Sequence, residues 1–137
     1  MGKTLTATAS YQDGYGTTES VASSPTTSVA NANIISGDAS ANILQGTVLD
    51  DNIYGFEGND TITALAGNDT LEGGAGDDLL NGGGGDDALY GGTGIDTAQF
   101  GVASSDVRAV SFDATGWVLT TGEGVDFLAA DVEKAQF

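Results

Sequence analysis

Several residue types that commonly build functional sites are missing from this chain. Its 137 residues include no cysteine and no histidine, and only one proline. Without cysteine the chain has neither a disulfide framework nor a thiolate metal site. Without histidine it has no Ser-His or Cys-His nucleophilic pair, and no side chain that ordinarily titrates near neutral pH. These absences exclude the usual zinc sites and the common nucleophilic hydrolases.

Positive charge is almost as scarce. Lys3, Arg108 and Lys134 are the only cations, against 20 acidic residues, which gives a formal net charge of -17. Such a chain repels phosphate and anionic lipid headgroups, so we expect no nucleic-acid partner. No apolar run approaches the ~18 residues of a membrane span, so we also expect no membrane insertion. The N-terminus lacks the hydrophobic region of a signal peptide. The length allows one domain, or one repeat module with flanking pieces.

A nine-residue repeat occupies the middle of the chain. Seven consecutive units run through residues 37–99 without an insertion, and glycine dominates their first four positions. The sixth position reads Asn42, Asp51, Asp60, Asp69, Asp78, Asp87 and Asp96. The eighth is apolar in every unit: Leu44, Ile53, Ile62, Leu71, Leu80, Leu89 and Ala98. A glycine turn, a carboxylate and a buried hydrophobe at a fixed period predict a calcium-binding solenoid.

The charge of the repeats supports a metal ion as the missing partner. Residues 37–99 carry twelve Asp or Glu and no Lys or Arg. Packing these charges into a compact rod requires an external cation, and carboxylate and carbonyl oxygens select Ca²⁺ over softer metals. The alternative is a solvated or disordered acidic stretch. The acidic residues keep a fixed spacing from the apolar eighth position in every unit, and this regularity favours the folded arrangement.

The period also predicts an architecture, an all-β parallel β-roll. Six turn residues and three strand residues per unit send the eighth side chain inward. Two units make one coil, so successive strands fall on opposite sheets. Leu44, Ile62, Leu80 and Ala98 should stack on one sheet, facing Ile53, Leu71 and Leu89 on the other. Because Ca²⁺ takes ~6 to 8 oxygens, more than one turn supplies, each ion should lie between turns eighteen residues apart.

Three regions follow from this pattern: residues 1–33, 34–99 and 100–137. Residues 4–33 predict a β-hairpin with a turn at 13–16. The stretch with Tyr11-Gln12-Asp13-Gly14 resembles the last hairpin of immunoglobulin-like repeats in large bacterial surface proteins, which implies the remnant of a preceding domain. The phase extends backward to a degenerate coil with Asn33 at its sixth position and Ile35 at its eighth.

Residues 100–137 predict a C-terminal capping meander of antiparallel strands near 107–110, 117–120 and 125–128. The end of a solenoid must be covered, because an open end would expose apolar rungs and unpaired strand edges. We expect five apolar side chains to cover the last coil: Phe100, Trp117, Phe127, Val132 and Phe137.

The units at residues 55–63, 73–81, 82–90 and 91–99 match G-G-x-G-x-D-x-U-x, and about half the chain therefore resembles the RTX, or haemolysin-type, calcium-binding β-roll. The tail, with Asp126, Leu128, Val132-Glu133 and Phe137, resembles the segment that commonly follows such repeats in secreted bacterial proteins. The resemblance implies sites in which the earlier turn gives its second and fourth carbonyls and the later turn its first and third. Both sixth-position carboxylates complete each site.

Carried onto this sequence, the resemblance implies about four ions. On one edge it assigns Phe56, Gly58 and Asp60 with Gly73, Ala75 and Asp78, and then Gly74, Gly76 and Asp78 with Gly91, Thr93 and Asp96. On the other edge it assigns Thr47, Leu49 and Asp51 with Ala64, Ala66 and Asp69, and then Leu65, Gly67 and Asp69 with Gly82, Gly84 and Asp87. The pairs Asn42 with Asp60 and Asn33 with Asp51 could raise the total to six. Leucine replaces glycine at Leu49 and Leu65, so the Asp51/Asp69 site is expected to be the weakest of the four.

The family resemblance also implies a function. The roll is expected to be disordered in calcium-poor cytosol, to leave a Gram-negative bacterium unfolded through a type I secretion channel, and to fold on Ca²⁺ outside the cell. We interpret the chain as a monomeric, non-enzymatic, structural and secretion-assisting C-terminal part of a larger secreted protein. The alternative is an accessory stalk or ligand-binding module of an adhesin or of a secreted polysaccharide-acting enzyme.

Three other readings of the acidic and glycine-rich residues fail. A nucleotide-binding glycine loop would need the lysine of a P-loop, which is absent. An EF-hand starting at Asp50 has no glutamate at its twelfth position. Glycosidase-like carboxylate pairs are conceivable, but the repeat already accounts for every paired aspartate.

Overall fold

The computed structural model of this chain describes residues 8–12, 18–22, 32–103 and 106–137. The chain divides into two compact units, Met1–Asn31 and Ala32–Phe137. The first contains β1 (Thr8–Gln12) and β2 (Thr18–Ala22), which pair antiparallel with Thr8 opposite Ala22. The predicted turn at 13–16 and the stretch 23–31 lie outside the described residues. The origin of the hairpin in a preceding domain stays a prediction.

The second unit is a β-roll of two sheets that share one apolar core. In chain order its strands are β3 (Asn33–Ser36), β4 (Ile43–Gln45), β5 (Asp51–Glu57), β6 (Thr61–Thr63), β7 (Thr70–Ala75), β8 (Leu79–Asn81), β9 (Ala88–Thr93), β10 (Thr97–Gln99), β11 (Ala109–Phe112), β12 (Gly116–Thr120), β13 (Val125–Ala129) and β14 (Lys134–Gln136). Seven strands form one sheet in the order β11-β12-β13-β9-β7-β5-β3, and five form the other in the order β14-β10-β8-β6-β4. No helix that could cross a membrane occurs among the described residues.

The strand register follows the nine-residue period. Within the repeats each strand pairs in parallel with the strand two units away, as Ile53 pairs with Leu71 and Ile62 with Leu80. The eighth-position side chains form the core, and Ile53, Ile62, Leu71 and Leu80 are fully buried. The prediction of a two-unit coil with alternating sheets is therefore confirmed.

Strand length is not the same on the two sheets. The prediction of three strand residues per unit holds for β6, β8 and β10, but it is wrong for β5, β7 and β9, which have six or seven residues. The extra residues are the first three positions of the next unit. They stay in backbone register with the neighbouring coil, as Phe56 does with Gly74 and Glu57 with Ala75. The turns on this edge therefore begin inside the hydrogen-bonded ladder.

The C-terminal cap continues both sheets. Strands β11, β12 and β13 form the predicted antiparallel meander, displaced by one to two residues at its boundaries. Beyond the meander, β13 pairs in parallel with β9, placing Leu128 beside Leu89, and β14 pairs in parallel with β10, placing Ala135 beside Ala98. Each sheet of the roll thus gains one parallel strand from the cap.

The side chains that close the core differ in part from the prediction. Phe100 and Val132 are buried as expected and Phe127 is half-buried, but Trp117 and Phe137 are each 42% exposed, so the covering role predicted for these two is wrong. Trp117 instead packs on Phe112, with 4.4 Å between the ring centroids. Leu119, two residues along β12, and Leu128, which pairs with Trp117 across the cap sheet, join the core instead. Burial along β12 does not alternate, since Gly116 and Leu119 are buried while Trp117 and Val118 between them are exposed.

Candidate metal sites

The sixth-position carboxylates form two ladders, one along each edge of the roll. In four of them, Asp51, Asp60, Asp69 and Asp78, the backbone N–H donates to Oδ1 of the aspartate eighteen residues later. The distances are 2.7 Å for Asp51 to Asp69, 2.9 Å for Asp69 to Asp87, 2.7 Å for Asp60 to Asp78, and 2.8 Å for Asp78 to Asp96. Each carboxylate therefore reaches back to the preceding coil and joins two turns.

The other oxygen of these carboxylates has no partner. The Oδ2 atoms are buried without a hydrogen bond in Asp60, Asp69, Asp78, Asp87 and Asp96. None of these side chains is more than 3% exposed. A buried carboxylate oxygen that meets neither a donor nor a cation is costly. Two rows of such oxygens therefore call for cations along both edges.

The protonation of the ladder carboxyls reflects this shortage of positive charge. Burial raises the pKa of Asp69, Asp78 and Asp96 above the ordinary value, although a backbone donor partly opposes the rise in each case. Burial, with added repulsion from Asp126 and Asp69, raises the pKa of Asp87 to about 6. A bound cation would oppose these shifts, because it favours the charged form.

Glycines bring backbone carbonyls to the same place. Gly74 and Gly76 have φ values of 112° and 138°, and a Cβ on either would collide with the carbonyl oxygen of Phe56 or Gly58, respectively. The second and fourth carbonyls of the earlier turn thus point at the later turn. The same relation joins Gly92 and Gly94 to Gly74 and Gly76, and Gly83 and Gly85 to Leu65 and Gly67. Only residues without a Cβ permit so close an approach.

The first and third positions supply the other side of the cradle. A Cβ on Gly55 would collide with Oδ2 of Asp60 and with the carbonyl oxygen of Gly73. The third carbonyl already accepts one hydrogen bond from the earlier turn, as that of Ala75 does from the N–H of Gly58 at 2.8 Å. The structure therefore brings the residues predicted for the Asp60/Asp78, Asp78/Asp96 and Asp69/Asp87 sites together in facing turns.

The turn at residues 46–51 is built differently. Thr47 and Leu49 lack the positive φ of the equivalent residues in later turns. Oδ2 of Asp51 accepts hydrogen bonds from the N–H of Thr47 at 2.6 Å and from its Oγ1 at 3.1 Å. Ala64 and Ala66 lie on the facing turn, where the N–H of Ala66 donates to the carbonyl of Thr47 at 3.4 Å. Without glycine at its second and fourth positions, this turn bonds its own carboxylate to Thr47. Of the four predicted sites, the Asp51/Asp69 pair therefore least resembles a set of oxygens open to a cation.

The two amide positions are also satisfied by hydrogen bonds. Oδ1 of Asn42 accepts from the N–H of Asp38 at 2.7 Å, while its own N–H donates to Oδ1 of Asp60 at 2.7 Å. Nδ2 of Asn33 donates to Oγ1 of Thr47 at 3.3 Å. The Asn42 contact continues one ladder upstream, and neither amide adds a carboxylate.

The donor set fits a hard divalent cation. In the described part of the chain, three or more acidic side chains nowhere converge on one point, so each cage must combine two carboxylates with backbone carbonyls. Oxygen-only sets of six to eight ligands are those that Ca²⁺ prefers, and Mg²⁺ demands stricter octahedral geometry. The unpartnered Oδ2 atoms, and the carbonyl oxygens that lie close to the glycines of the facing turn, provide oxygen ligands of this kind.

Two cap residues that the sequence reasoning left unassigned extend the ladders. Oδ1 of Asp126 accepts the N–H of Asp87 at 3.2 Å, and Oε2 of Glu133 accepts the N–H of Asp96 at 2.8 Å. Asp126 is only 2% exposed, and burial raises its pKa to about 6. The signal for Asp126 was present in the sequence, because residues 121–129 read Thr-Gly-Glu-Gly-Val-Asp-Phe-Leu-Ala. The cap therefore takes part in both carboxylate ladders.

Comparison with known proteins identifies the repeats. Residues 36–71 and 63–98 match the RTX calcium-binding nonapeptide repeat, which is described as four copies. Among solved structures, the chain is similar to the AlgE6R3 subunit of the Azotobacter vinelandii mannuronan C5-epimerase, determined in solution, with 26% identity over 75% of each chain and a TM-score of 0.41. No curated protein matches the chain. On the repeat match and the two aspartate ladders, residues 36–98 are an array of RTX calcium-binding repeats, folded as a parallel β-roll.

Proposed function

We propose that this chain is a structural module whose β-roll folds when Ca²⁺ enters between facing turns. The observation that carries the proposal is the row of buried, unpartnered Oδ2 atoms that runs along both edges of the roll. Without a cation these oxygens oppose folding, because the desolvated carboxylates gain no compensating charge. A divalent cation held between turns supplies that compensation and joins one coil to the next.

The residues that would hold the ions come from pairs of turns. Asp60 with Asp78, Asp78 with Asp96, and Asp69 with Asp87 would each provide the two carboxylates of a site, together with the carbonyls of the same turns. Asp51 with Asp69 would form a fourth site of lower affinity, since hydrogen bonds from Thr47 compete for Oδ2 of Asp51. Each inner aspartate serves two ions, so filling one site should favour filling the next.

The cellular role follows from the calcium dependence. RTX repeats are typical of secreted bacterial proteins, and extracellular calcium modules bind at ~10⁻⁴ to 10⁻³ M. We infer that the roll stays unfolded in calcium-poor cytosol, passes unfolded through a type I secretion channel of a Gram-negative cell, and folds outside. The module acts as a monomer that assists secretion and supports a larger secreted protein, with no catalytic step of its own.

Circular dichroism tests the folding step directly. The far-ultraviolet β signal of the chain should be weak in EDTA and should rise cooperatively on titration to millimolar Ca²⁺. The same β signal in EDTA and in saturating Ca²⁺ would refute the proposal. Titration with Mg²⁺ in place of Ca²⁺ should give little β signal.

A matched pair of variants tests the assigned ligands. Asp78→Asn keeps an Oδ1 acceptor for the N–H of Asp60 but removes a charge shared by two sites, so it should lower the calcium stoichiometry by two. Asp77→Asn removes the same charge one residue earlier, where Oδ1 accepts the N–H of Ile95 at 2.9 Å on the exposed side of the turn. It should leave the stoichiometry unchanged. Equal losses in both variants would rule out the sixth position as the ligand.

A ligand-binding role is the second candidate, and one surface feature favours it. Tyr54 and Phe56 stack with 6.4 Å between ring centroids beside a groove that also contains Glu57, Glu72 and Thr93. Exposed aromatic rings of this kind can stack on sugar rings. A glycan-array signal lost in Phe56→Ala, but kept when Asp78 is changed to Asn in saturating Ca²⁺, would place this role ahead of the structural one.

A further inference from the structure

The cap contains one more turn of the repeat type, separated from the array by an insertion. Residues 121–129 follow the pattern x-G-x-G-x-D-x-L-x, with Gly124, Asp126 and Leu128 at the fourth, sixth and eighth positions. They stack on the unit at residues 82–90 with an offset of 39 residues instead of eighteen. The insertion breaks the nine-residue period of the sequence, but the cap turn still occupies the place of the next turn along this edge.

Backbone hydrogen bonds around this cap turn repeat those of the array. The N–H of Gly85 donates to the carbonyl of Glu123 at 2.9 Å, as the N–H of Gly67 does to the carbonyl of Gly84 at 3.0 Å. The N–H of Val125 donates to Oδ1 of Asp86 at 2.9 Å, which is the fifth-position contact of the array. The strand that follows keeps the same register, with Leu128 beside Leu89. From the third to the eighth position the cap turn therefore makes the contacts of a true repeat, although Gly124 lacks the positive φ of the fourth-position glycines in the array.

The carboxylate of the cap turn faces the last turn of its edge. Oδ1 of Asp126 accepts the N–H of Asp87, while Oδ2 of Asp126 is buried and unpartnered, as is Oδ2 of Asp87. A Cβ on Gly124 would collide with the carbonyl oxygen of Gly85, the contact that marks the fourth position throughout the array. Carboxylate and carbonyl oxygens thus converge between these two turns.

We propose that residues 82–87 and 121–126 form a further calcium site, held by the carboxylates of Asp87 and Asp126 and by the carbonyls of Gly85 and Glu123. This inference rests on the proposed calcium-dependent folding of the roll, and it adds a site outside the matched repeats. The first half of the cap turn departs from the array, because a Cβ on Gly122 would meet no atom within 4 Å. The cap turn therefore offers fewer carbonyl ligands than a turn of the array, so this site should fill after the inner sites of the array.

The opposite edge lacks an equivalent site. Glu133 occupies the sixth position of the facing segment, but its side chain is exposed. Residues 128–133 contain no glycine, and Oδ1 of Asp131 accepts the N–H of Gly91 at 3.2 Å. On that edge the cap carboxylates accept hydrogen bonds from the backbone of the last turn. On the other edge Oδ2 of Asp126 has no donor and remains for a cation. An ion at the proposed site would fasten the cap to the roll along one edge.

Calcium stoichiometry of the full chain tests the site. Asp126→Asn preserves an Oδ1 acceptor for Asp87 but removes one ligand charge, so it should bind one ion fewer than the wild type at saturating Ca²⁺. Asp106→Asn, an exposed position with the same charge change, should bind the wild-type number. Unchanged stoichiometry in Asp126→Asn would overturn the inference. A wild-type chain that binds no calcium would instead refute the proposed function itself.

The single tryptophan, Trp117, provides a second reading because it lies opposite Leu128 in the cap sheet. In Asp126→Asn the calcium midpoint of the Trp117 emission change should rise by more than about tenfold, past the concentration that saturates the wild type, since ligand charge tunes affinity. An unshifted midpoint would count against the site.

A crystal structure of the wild-type chain grown in Ca²⁺ decides the question even if the variant fails to fold. Cation density between Asp87 and Asp126 is expected. Filled array sites with only water between these two carboxylates would overturn the inference.

Discussion

At the scale of single residues, the glycine at the fourth position of the turns from residue 55 onward determines how closely neighbouring coils approach. In the turn at residues 82–87, Gly85 has a φ of 129° and faces the carbonyl of Gly67, whereas Gly84, one residue earlier, has open space around its Cβ position. Gly85→Ala should destabilise the calcium-loaded roll by about 1–3 kcal/mol through backbone strain. Gly84→Ala should stabilise it by up to about 1 kcal/mol by restricting the unfolded chain. Urea unfolding in saturating Ca²⁺ measures both changes, and equal effects would contradict the assigned geometry.

Leu65 shows that a turn can keep its conformation without the preferred residue. It has a φ of 85° at the second position, where three of the other six turns carry glycine. The left-handed conformation costs a residue with a Cβ about 1–2 kcal/mol, so Leu65→Gly should raise the free energy of unfolding by about 1 kcal/mol. Val48→Gly, at an exposed position without positive φ, is the control and should lower it. Thermal unfolding of both variants in Ca²⁺ checks the sign, and a stabilised Val48→Gly would argue against the conformational explanation.

At the scale of elements, the alternation of side chains in a three-residue strand decides which residue supports the core. Leu79 and Leu80 are adjacent in β8, but only Leu80 is fully buried. Leu80→Ala should cost about 2–5 kcal/mol, because it leaves a cavity between the sheets. Leu79→Ala should cost less than about 1 kcal/mol. Equilibrium unfolding in saturating Ca²⁺ compares them, and similar losses would mean that the register of β8 is wrong.

The same elements show where sequence-based prediction succeeds and where it stops. The coil and its two sheets could be predicted because every eighth residue is apolar, and a slip of one residue would move that whole set to the solvent side. The longer strands on one sheet could not, because the backbone pairing of Phe56 with Gly74 leaves no pattern in side-chain polarity. Asp126 was missed because the insertion before it shifts its phase relative to Asp87. The hydrogen bond between them and the pairing of Leu128 with Leu89 show the shared edge.

At the scale of the whole molecule, the burial of carboxyls should make the calcium-free chain respond to acid. Asp87 and Asp126 have a pKa of about 6 in the folded state, above the ordinary 3.8, mainly because of burial. The folded chain therefore binds more protons than the unfolded chain between these values, and stability falls as the pH rises through this interval. In EDTA, lowering the pH from about 7.5 to about 5.5 should increase the β signal in circular dichroism. A signal that is flat or falls on acidification would contradict this expectation.

Calcium reverses the dependence, because protons and the cation compete for the same oxygens. In a calcium titration the midpoint should move to higher Ca²⁺ as the pH falls below about 6. A midpoint independent of pH would indicate that the raised pKa values belong to carboxyls that do not bind the ion.

Because hydrogen-bonded aspartates are eighteen residues apart, each coil of eighteen residues makes the same contacts with its neighbours as the next coil does. Deleting residues 55–72 removes one complete coil and joins the end of β5 to a segment of the same sheet. The shortened roll should therefore still fold in Ca²⁺ with the cap packed against it. Its Trp117 emission should resemble that of the wild type. Deleting residues 64–72 removes half a coil, so the chain would leave the roll from the wrong sheet and β13 could no longer lie beside β9. A roll of this kind can therefore be lengthened or shortened only in whole coils, because only a whole coil returns the chain to the sheet that it left.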